Sequence, residues 1–176
     1  MEAMAKVVTE AHGEVLEVGF GMGISATYIQ SLGVKSHTLI ECNGDVVKQF
    51  EQWKARYPGR NIRLVVGKWQ EVIDRLGLFD GIFFDTYPLS EQEFNQYVVE
   101  DVTFAQHFFE VAARHLRDGG IFAYYSNEID SVSRRHQRAL FKHFKSVTFS
   151  VCHPLFPPQD CNYWWADSMV VVKAVK

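Results

Sequence analysis

Residues 16–24 read LEVGFGMGI, a hydrophobic strand running into glycines at alternate positions, Gly19, Gly21 and Gly23. Three glycines between a strand and a helix allow a turn whose backbone comes close to a ligand. The spacing narrows the choice of ligand. A dinucleotide fingerprint needs G-x-G-x-x-G, but the position three after Gly21 is Ile24, so that pattern fails. A P-loop needs G-K-[ST] after the turn, and none follows. What remains is acid-x-Gly-x-Gly-x-Gly, with Glu17 as the acid. A carboxylate at the end of the first strand would repel a pyrophosphate and suits a cofactor bearing an ammonium group. S-adenosylmethionine has that ammonium.

Working outward, apolar β-rich runs recur at EVLEVGF (14–20), HTLIEC (37–42), IRLVVG (62–67), FDGIFFD (79–85), GGIFAYYS (119–126), SVTFSVC (146–152) and DSMVVVKAV (167–175). Helix-period stretches separate most of them, which predicts a doubly wound α/β sheet whose strands are covered on both faces. The last two runs are joined by a proline- and aromatic-rich segment without helical pattern. A hairpin with an antiparallel last strand is therefore expected.

The chain has 176 residues, 47% hydrophobic and 14% aromatic, enough for one buried core and too few for two ordinary domains. A net charge of −3 gives no global attraction to nucleic acid or an anionic membrane. Three cysteines, Cys42, Cys152 and Cys161, without a C-x-x-C pair argue against a disulfide framework or a structural zinc site, so no metal is expected. No apolar run is long enough to span a membrane, and the start lacks an export signal. A cytoplasmic setting fits best. The oligomeric state is left open, a homodimer included.

Five further positions point at the cofactor or its substrate. Glu41, ending the second strand, can accept hydrogen bonds from a ribose diol. Trp69 and Gln70, after the third strand, offer an apolar face and a polar edge for adenine, although Trp69 alone reads equally as a core residue at a helix start. Asp85 ends the fourth strand just before an irregular Thr-Tyr-Pro turn, where open α/β sheets bind ligands. A carboxylate there can hold a cation by charge-assisted hydrogen bonds and take up a proton. Tyr87 would shape the pocket or stack on the cation. Phe104, Phe108 and Phe109 fall at helical spacing and read as core. The basic stretch SRRHQRALFKHFK (133–145) reads as a solvated helix face, and Tyr163, Trp164 and Trp165 as either a lid or packing at the sheet edge.

LEVGFGMGI, IECNGDV (40–46), GKWQEV (67–72), FDGIFFDTYPLSE (79–91), LRDGGIFAYYSN (116–127) and PPQDCNYWWADSM (157–169) together resemble the guanidinoacetate N-methyltransferases and the related fungal arginine δ-N-methyltransferases. The resemblance covers nearly the whole chain from Gly13. It implies a Rossmann-like, seven-stranded class I methyltransferase sheet that binds S-adenosylmethionine and releases S-adenosylhomocysteine. It further implies that Phe20, Gly21, Met22, Gly23, Ile24 and Ser25 surround the methionine part, with Glu41 on the ribose; Glu17, Gly19, Cys42 and Asn43 are expected among the cofactor-binding residues. Trp69 and Gln70 would lie near adenine, and Asp85 at the reacting nitrogen, counted with both cofactor and substrate.

Two departures follow. The resemblance implies an N-terminal segment that closes over the site with a second carboxylate, and the chain is expected to be a single domain without that lid. After Asn127 the family's substrate-carboxylate loop is replaced by the shorter EIDSVSRRHQRALFKHF (128–144). The expected activity is N-methylation of a small guanidino or amino compound. The alternatives are methylation of free or protein arginine, and cofactor binding without turnover.

Overall fold

The computed structural model describes residues 1–157, 159–160 and 166–176. Seven strands form one sheet: β1 (Glu14–Val18), β2 (Ser36–Glu41), β3 (Ile62–Val66), β4 (Phe79–Phe84), β5 (Leu116–Tyr124), β6 (Ser146–Cys152) and β7 (Met169–Val175). Their order is β3-β2-β1-β4-β5-β7-β6. β1 pairs parallel with both β2 and β4, and β7 runs antiparallel to β5 and to β6. The expected hairpin is present. Because the chain moves outward from β1 through β2 to β3 and then returns to place β4 on the other side, the switch point falls between β1 and β4. Crevices in open α/β sheets form there, beyond the carboxyl ends of the strands.

Helices cover both faces. On one face α1 (Glu2–Val8) and α2 (Ile24–Ser31) bury Met4, Val8 and Ile29 against Val15, Phe83 and Val171. α3 (Gly44–Lys54) adds Phe50 and Trp53, which pack on Phe20, Leu39 and Ile62. On the other face α4 (Trp69–Val72), α6 (Phe109–His115) and α7 (Arg134–Leu140) cover Leu16, Val18, Ile82, Phe84 and Phe122. The alternation is the period-2 rule at work: successive residues of β1 and β4 point to opposite faces, and both faces are dry. Phe104, Phe108 and Phe109 lie in the core, as their spacing suggested.

Three features differ from the sequence reading. β5 begins at Leu116, directly after α6, and its register on β4 shifts between Phe79 and Gly81. Only residues 134–140 of the basic stretch are helical, and His136 faces inward, fully buried. Its Nε2 meets the Tyr124 hydroxyl at 2.6 Å and its Nδ1 lies 2.9 Å from Glu128 Oε2, so the helix is anchored by a buried polar chain rather than solvated all round. The link between β4 and α6 holds a short helix, α5 (Glu91–Phe94), a π turn (Asn95–Val99) and a 3-10 turn (Phe104–Phe108), of which only the last carries a helical spacing in the sequence, at Phe104 and Phe108. The aromatic cluster at Tyr163, Trp164 and Trp165, and Cys161 beside it, lie outside the described residues. No described helix is long and apolar enough to cross a membrane.

Candidate active site

The glycine turn is held by its backbone. The Gly19 N–H donates to the Ile40 carbonyl at 2.9 Å, and the Gly23 N–H closes onto Phe20 at 2.8 Å. Gly19 has φ +92°, and a Cβ there would collide with the Asp85 carbonyl, so only glycine lets β1 and β4 end so close together. Gly23 caps α2 at φ +71°, and a Cβ on it would meet the Phe20 ring. Gly21, at φ +51°, faces open space. Its neighbours Met22 and Ile24 are exposed, whereas the Phe20 side chain turns into the core, 5.3 Å from both Phe50 and Trp53. Phe20 thus offers the site its backbone and not its ring.

Glu17 is fully buried beneath this turn. Its Oε1 accepts a short hydrogen bond from the Ser25 hydroxyl, at the start of α2. Its Oε2 lies 2.9 Å from His37 Nε2, close enough for an ion pair but off the direction a hydrogen bond needs. On its far side His37 Nδ1 contacts Gln30 Nε2 at 3.1 Å, which extends the chain into the last turn of α2. Strand alternation explains the placement, for Leu16 and Val18 face the other side of the sheet. The acid therefore supports the turn from below, and its charge reaches the crevice only through the protein.

Glu41 closes the next strand end. Its Oε2 accepts the Phe20 N–H at 3.0 Å, and its Oε1 accepts the Cys42 and Asn43 N–H groups at 2.8 and 2.9 Å. A carboxylate has about four lone-pair sites, so capacity remains for a hydroxyl. Asn43 caps α3, its Oδ1 accepting from the Asp45 and Val46 N–H groups. Cys42 is exposed, and partial desolvation of the sulfur, followed by the Glu41 charge, raises its thiol pKa.

These strand ends open on one cavity. It is lined by Gly19, Glu41, Cys42, Trp69, Gln70 and Tyr87 among others, bringing together residues from four separated stretches of sequence. Trp69 does two things at once: one edge packs on Phe84 and Phe108 at centroid distances of 6.2 and 5.0 Å, and the residue also walls the cavity. Gln70 is exposed at its rim. Phe104, read from the sequence as core, also walls the cavity, and Leu89 and Glu93, from a stretch without a periodic signal, complete it.

Asp85 follows β4 directly. Its N–H donates to the Val18 carbonyl at 3.0 Å, which fixes it beside the glycine turn. Burial, and after it the Glu17 charge, push its carboxyl pKa up to about 6. An acid poised there is near the ideal for a group that must exchange a proton around neutral pH. Tyr125, past the end of β5, has its own pKa raised by burial and by the charges at Tyr87 and Asp85. Tyr87 itself is 67% exposed over the cavity mouth. Among the described residues no cluster of three or more His, Cys, Asp or Glu side chains could hold a metal.

A profile of the guanidinoacetate N-methyltransferases matches residues 1–176. The chain belongs to that family. Within reach of it by sequence is a protein arginine N-methyltransferase 2 from Candida glabrata, 39% identical over 80 residues, which are 42% of this chain and 19% of the relative. The match thus spans a minor part of that relative's length. Two solved structures share the fold over 99% of the chain. Precorrin-6y C5,15-methyltransferase from Geobacter metallireducens has a TM-score of 0.69 at 13% identity, with 87% of it covered. Spermidine synthase from Thermotoga maritima has 0.67 at 16%, with 58% covered. A synthase on the same sheet is a reminder that the reaction is argued from the site and not from the fold.

Proposed function

We propose that the chain is an S-adenosylmethionine-dependent N-methyltransferase whose acceptor nitrogen belongs to a small guanidino or amino compound. The observation that carries this reading is the cavity in which Gly19, Glu41, Trp69 and Gln70 converge, within one residue of a buried carboxylate with a raised pKa. Family membership supports it.

The residues fit the cofactor. Gly21 leaves open space at the turn, Glu41 keeps acceptor capacity for the ribose, and Trp69 with Gln70 presents a face and an edge to adenine. When bound, S-adenosylmethionine supplies the methyl group and leaves as the thioether S-adenosylhomocysteine. The protein's share is alignment and exclusion of water, because methyl transfer is an in-line displacement. Asp85 ionised holds the cationic acceptor by charge-assisted hydrogen bonds and directs one nitrogen at the crevice. As that nitrogen forms its new N–C bond it sheds one proton, which Asp85 accepts. Glu17, through Ser25, keeps the turn in place. Tyr87 covers the mouth. The exposed free thiol of Cys42 fits a reducing, cytoplasmic compartment.

Calorimetric titration with S-adenosylmethionine, and separately with NAD, tests the cofactor half. Micromolar binding of the first alone is expected, and binding of NAD alone would overturn the reading. Product assay with guanidino and amino acceptors then separates an enzyme from a binding protein. Wild-type turnover that Asp85→Asn abolishes is the expected result, while cofactor binding with no turnover on any acceptor would leave only the binding role.

A further inference from the structure

Glu17 does not stand alone beneath the turn. In the parallel pairing of β1 with β2 it lies beside Leu39, and His37, two residues earlier on β2, projects from the same face of the sheet. Both side chains are fully buried, and Gln30, in the last turn of α2, is buried with them. Among the described residues Glu17 is the one ion-pair partner of His37. The rest of the ring's surroundings are Gln30 and the Trp53 ring, which meets it edge-on at 6.4 Å. The methyltransferase mechanism above gives neither His37 nor Gln30 a part.

The hydrogen-bonding capacities of these groups fix where the protons sit. An amide nitrogen only donates, so Gln30 Nε2, at 3.1 Å, makes His37 Nδ1 the acceptor. The ring proton then sits on Nε2, 2.9 Å from Glu17 Oε2. A second ring proton would set an Nδ1–H against the Gln30 N–H in a space closed to water, so the ring stays neutral. A neutral ring offers Glu17 the positive end of a bent N–H dipole and not a cation. The carboxylate therefore keeps its negative charge, held between the Ser25 hydroxyl on Oε1 and the His37 N–H beside Oε2. Deprived of the second donor, a fully buried carboxylate would be costly to keep ionised and would take up a proton instead.

We propose that His37 and Gln30 are positioning residues for the transfer: Gln30 fixes His37 as the neutral tautomer protonated at Nε2, and that tautomer holds Glu17 ionised beneath the turn, from where its charge acts on Asp85. Burial first, and the Glu17 charge second, raise the Asp85 carboxyl pKa to about 6. The α-amino group of Met1, ahead of α1, acts on Asp85 more weakly and in the opposite direction. Tyr125 is raised above the ordinary phenol range, by burial first, and is uncharged where Asp85 titrates. The functional meaning of this inference rests on the methyltransferase reading, whereas the tautomer and the charge rest on the buried contacts.

The first test is the protonation state of His37, read from NMR spectra that resolve the two ring nitrogens, with His37→Gln identifying its signals. A neutral ring protonated at Nε2 is expected across the neutral pH range, and an imidazolium or a ring protonated at Nδ1 would overturn the proposal. The second is the titration midpoint of the Asp85 carboxyl, followed by carbon NMR and compared with the acid limb of kcat/KM. His37→Leu removes the donor to Glu17 and should move both to lower pH by most of the shift that Glu17→Gln produces. His37→Gln keeps an N–H toward Glu17 and should leave both near their wild-type values. Midpoints unmoved by His37→Leu, or moved equally by the two variants, would overturn the proposal. Should His37→Leu fail to fold, Gln30→Glu serves instead: it offers Nδ1 an acceptor in place of a donor and should turn the ring into an imidazolium, and a ring that stays neutral would overturn the part given to Gln30. No turnover by the wild type on any acceptor would overturn the methyltransferase reading and the functional half of this inference, while the ring spectrum and the Asp85 midpoint decide the other half without turnover.

Discussion

The two halves of the crevice are built in opposite ways. At the ends of β1 and β2 the polar groups are tied to protein: Glu41 accepts three backbone N–H groups, Glu17 holds Ser25 and faces His37, and the turn hangs on main-chain bonds. At the ends of β4 and β5 the walls are apolar, the chain passes through π and 3-10 turns, and Tyr87, Leu89, Phe94 and Val99 are exposed. One half is preorganised by hydrogen bonds and demands one partner geometry. The other is walled mainly by apolar side chains, with Glu93 at the cavity and Asp85 buried at the strand end. Such a division suits a transferase that always takes the same donor, since binding donors and acceptors by different means lets the acceptor side change without disturbing the turn.

The largest effect should come from the acceptor half. Asp85→Asn is expected to lower turnover by roughly 10²–10⁴-fold, the usual weight of a positioned acid–base group, with cofactor affinity nearly unchanged in calorimetry. Equal losses of both would erase the distinction between the halves. Next comes the turn itself. Gly19→Ala must accommodate a Cβ against the Asp85 carbonyl at φ +92°, and backbone strain of this kind costs about 1–3 kcal/mol. Cofactor affinity and the melting temperature should both fall, and a variant that binds normally would mean that the close approach of β1 to β4 is dispensable.

The pH response links the halves. On the proposed mechanism the ionised form of Asp85 holds the cation, so kcat/KM should fall below a pH of about 6. Glu17→Gln removes the buried charge that helps raise this value, so the acid limb should move to lower pH, a shift that a purely structural role would not produce. Burial remains the larger cause, and the limb should stay above the ordinary aspartate range. The same raised pKa has a stability consequence. A carboxyl that binds its proton more tightly folded than unfolded favours the folded state below the unfolded pKa, near 3.9. That contribution is lost as pH rises through about 6, and urea titrations of wild type and Asp85→Asn between these pH values check it.

The smallest effect lies at the opposite end of the sheet. Arg117 bridges Glu14 at 2.6 Å and Asp80 at 2.9 Å, tying the starts of β1 and β4 to β5. Lys35 first, and Arg117 second, hold the Glu14 pKa down at about 2. These groups are partly exposed, so Arg117→Ala should cost only ~0.5–1 kcal/mol in chemical denaturation, with cofactor binding untouched. The stabilisation belongs to pH values above the unfolded glutamate pKa and fades as pH falls toward about 2.

Much of this was legible in the chain because it is local. Seven apolar runs become seven strands, the last two pair as a hairpin, and Asp85 stands at a strand end beside the turn because β-rich runs and their boundaries are written in consecutive residues. Relations across sequence were not legible. His37 lies in a strand quoted for its apolar residues, yet it meets Glu17 from twenty positions away. Leu89 and Glu93 come from a stretch without period, and Phe104, legible as core, gave no sign that it also walls the cavity. The basic helix hides His136, since a run of arginines says nothing of the one residue that finds Tyr124 and Glu128.

By itself, then, the sequence determined the α/β architecture, the glycine turn and the strand-end positions of its acids, all of which follow from short-range periodicity and spacing. Only the tertiary structure decided that Glu17 is sealed beneath the turn, that Trp69 serves core and cavity together, and that burial raises the Asp85 carboxyl pKa. Burial and charge environment are set by residues far apart in the chain, and they exist only once the two faces of the sheet have closed.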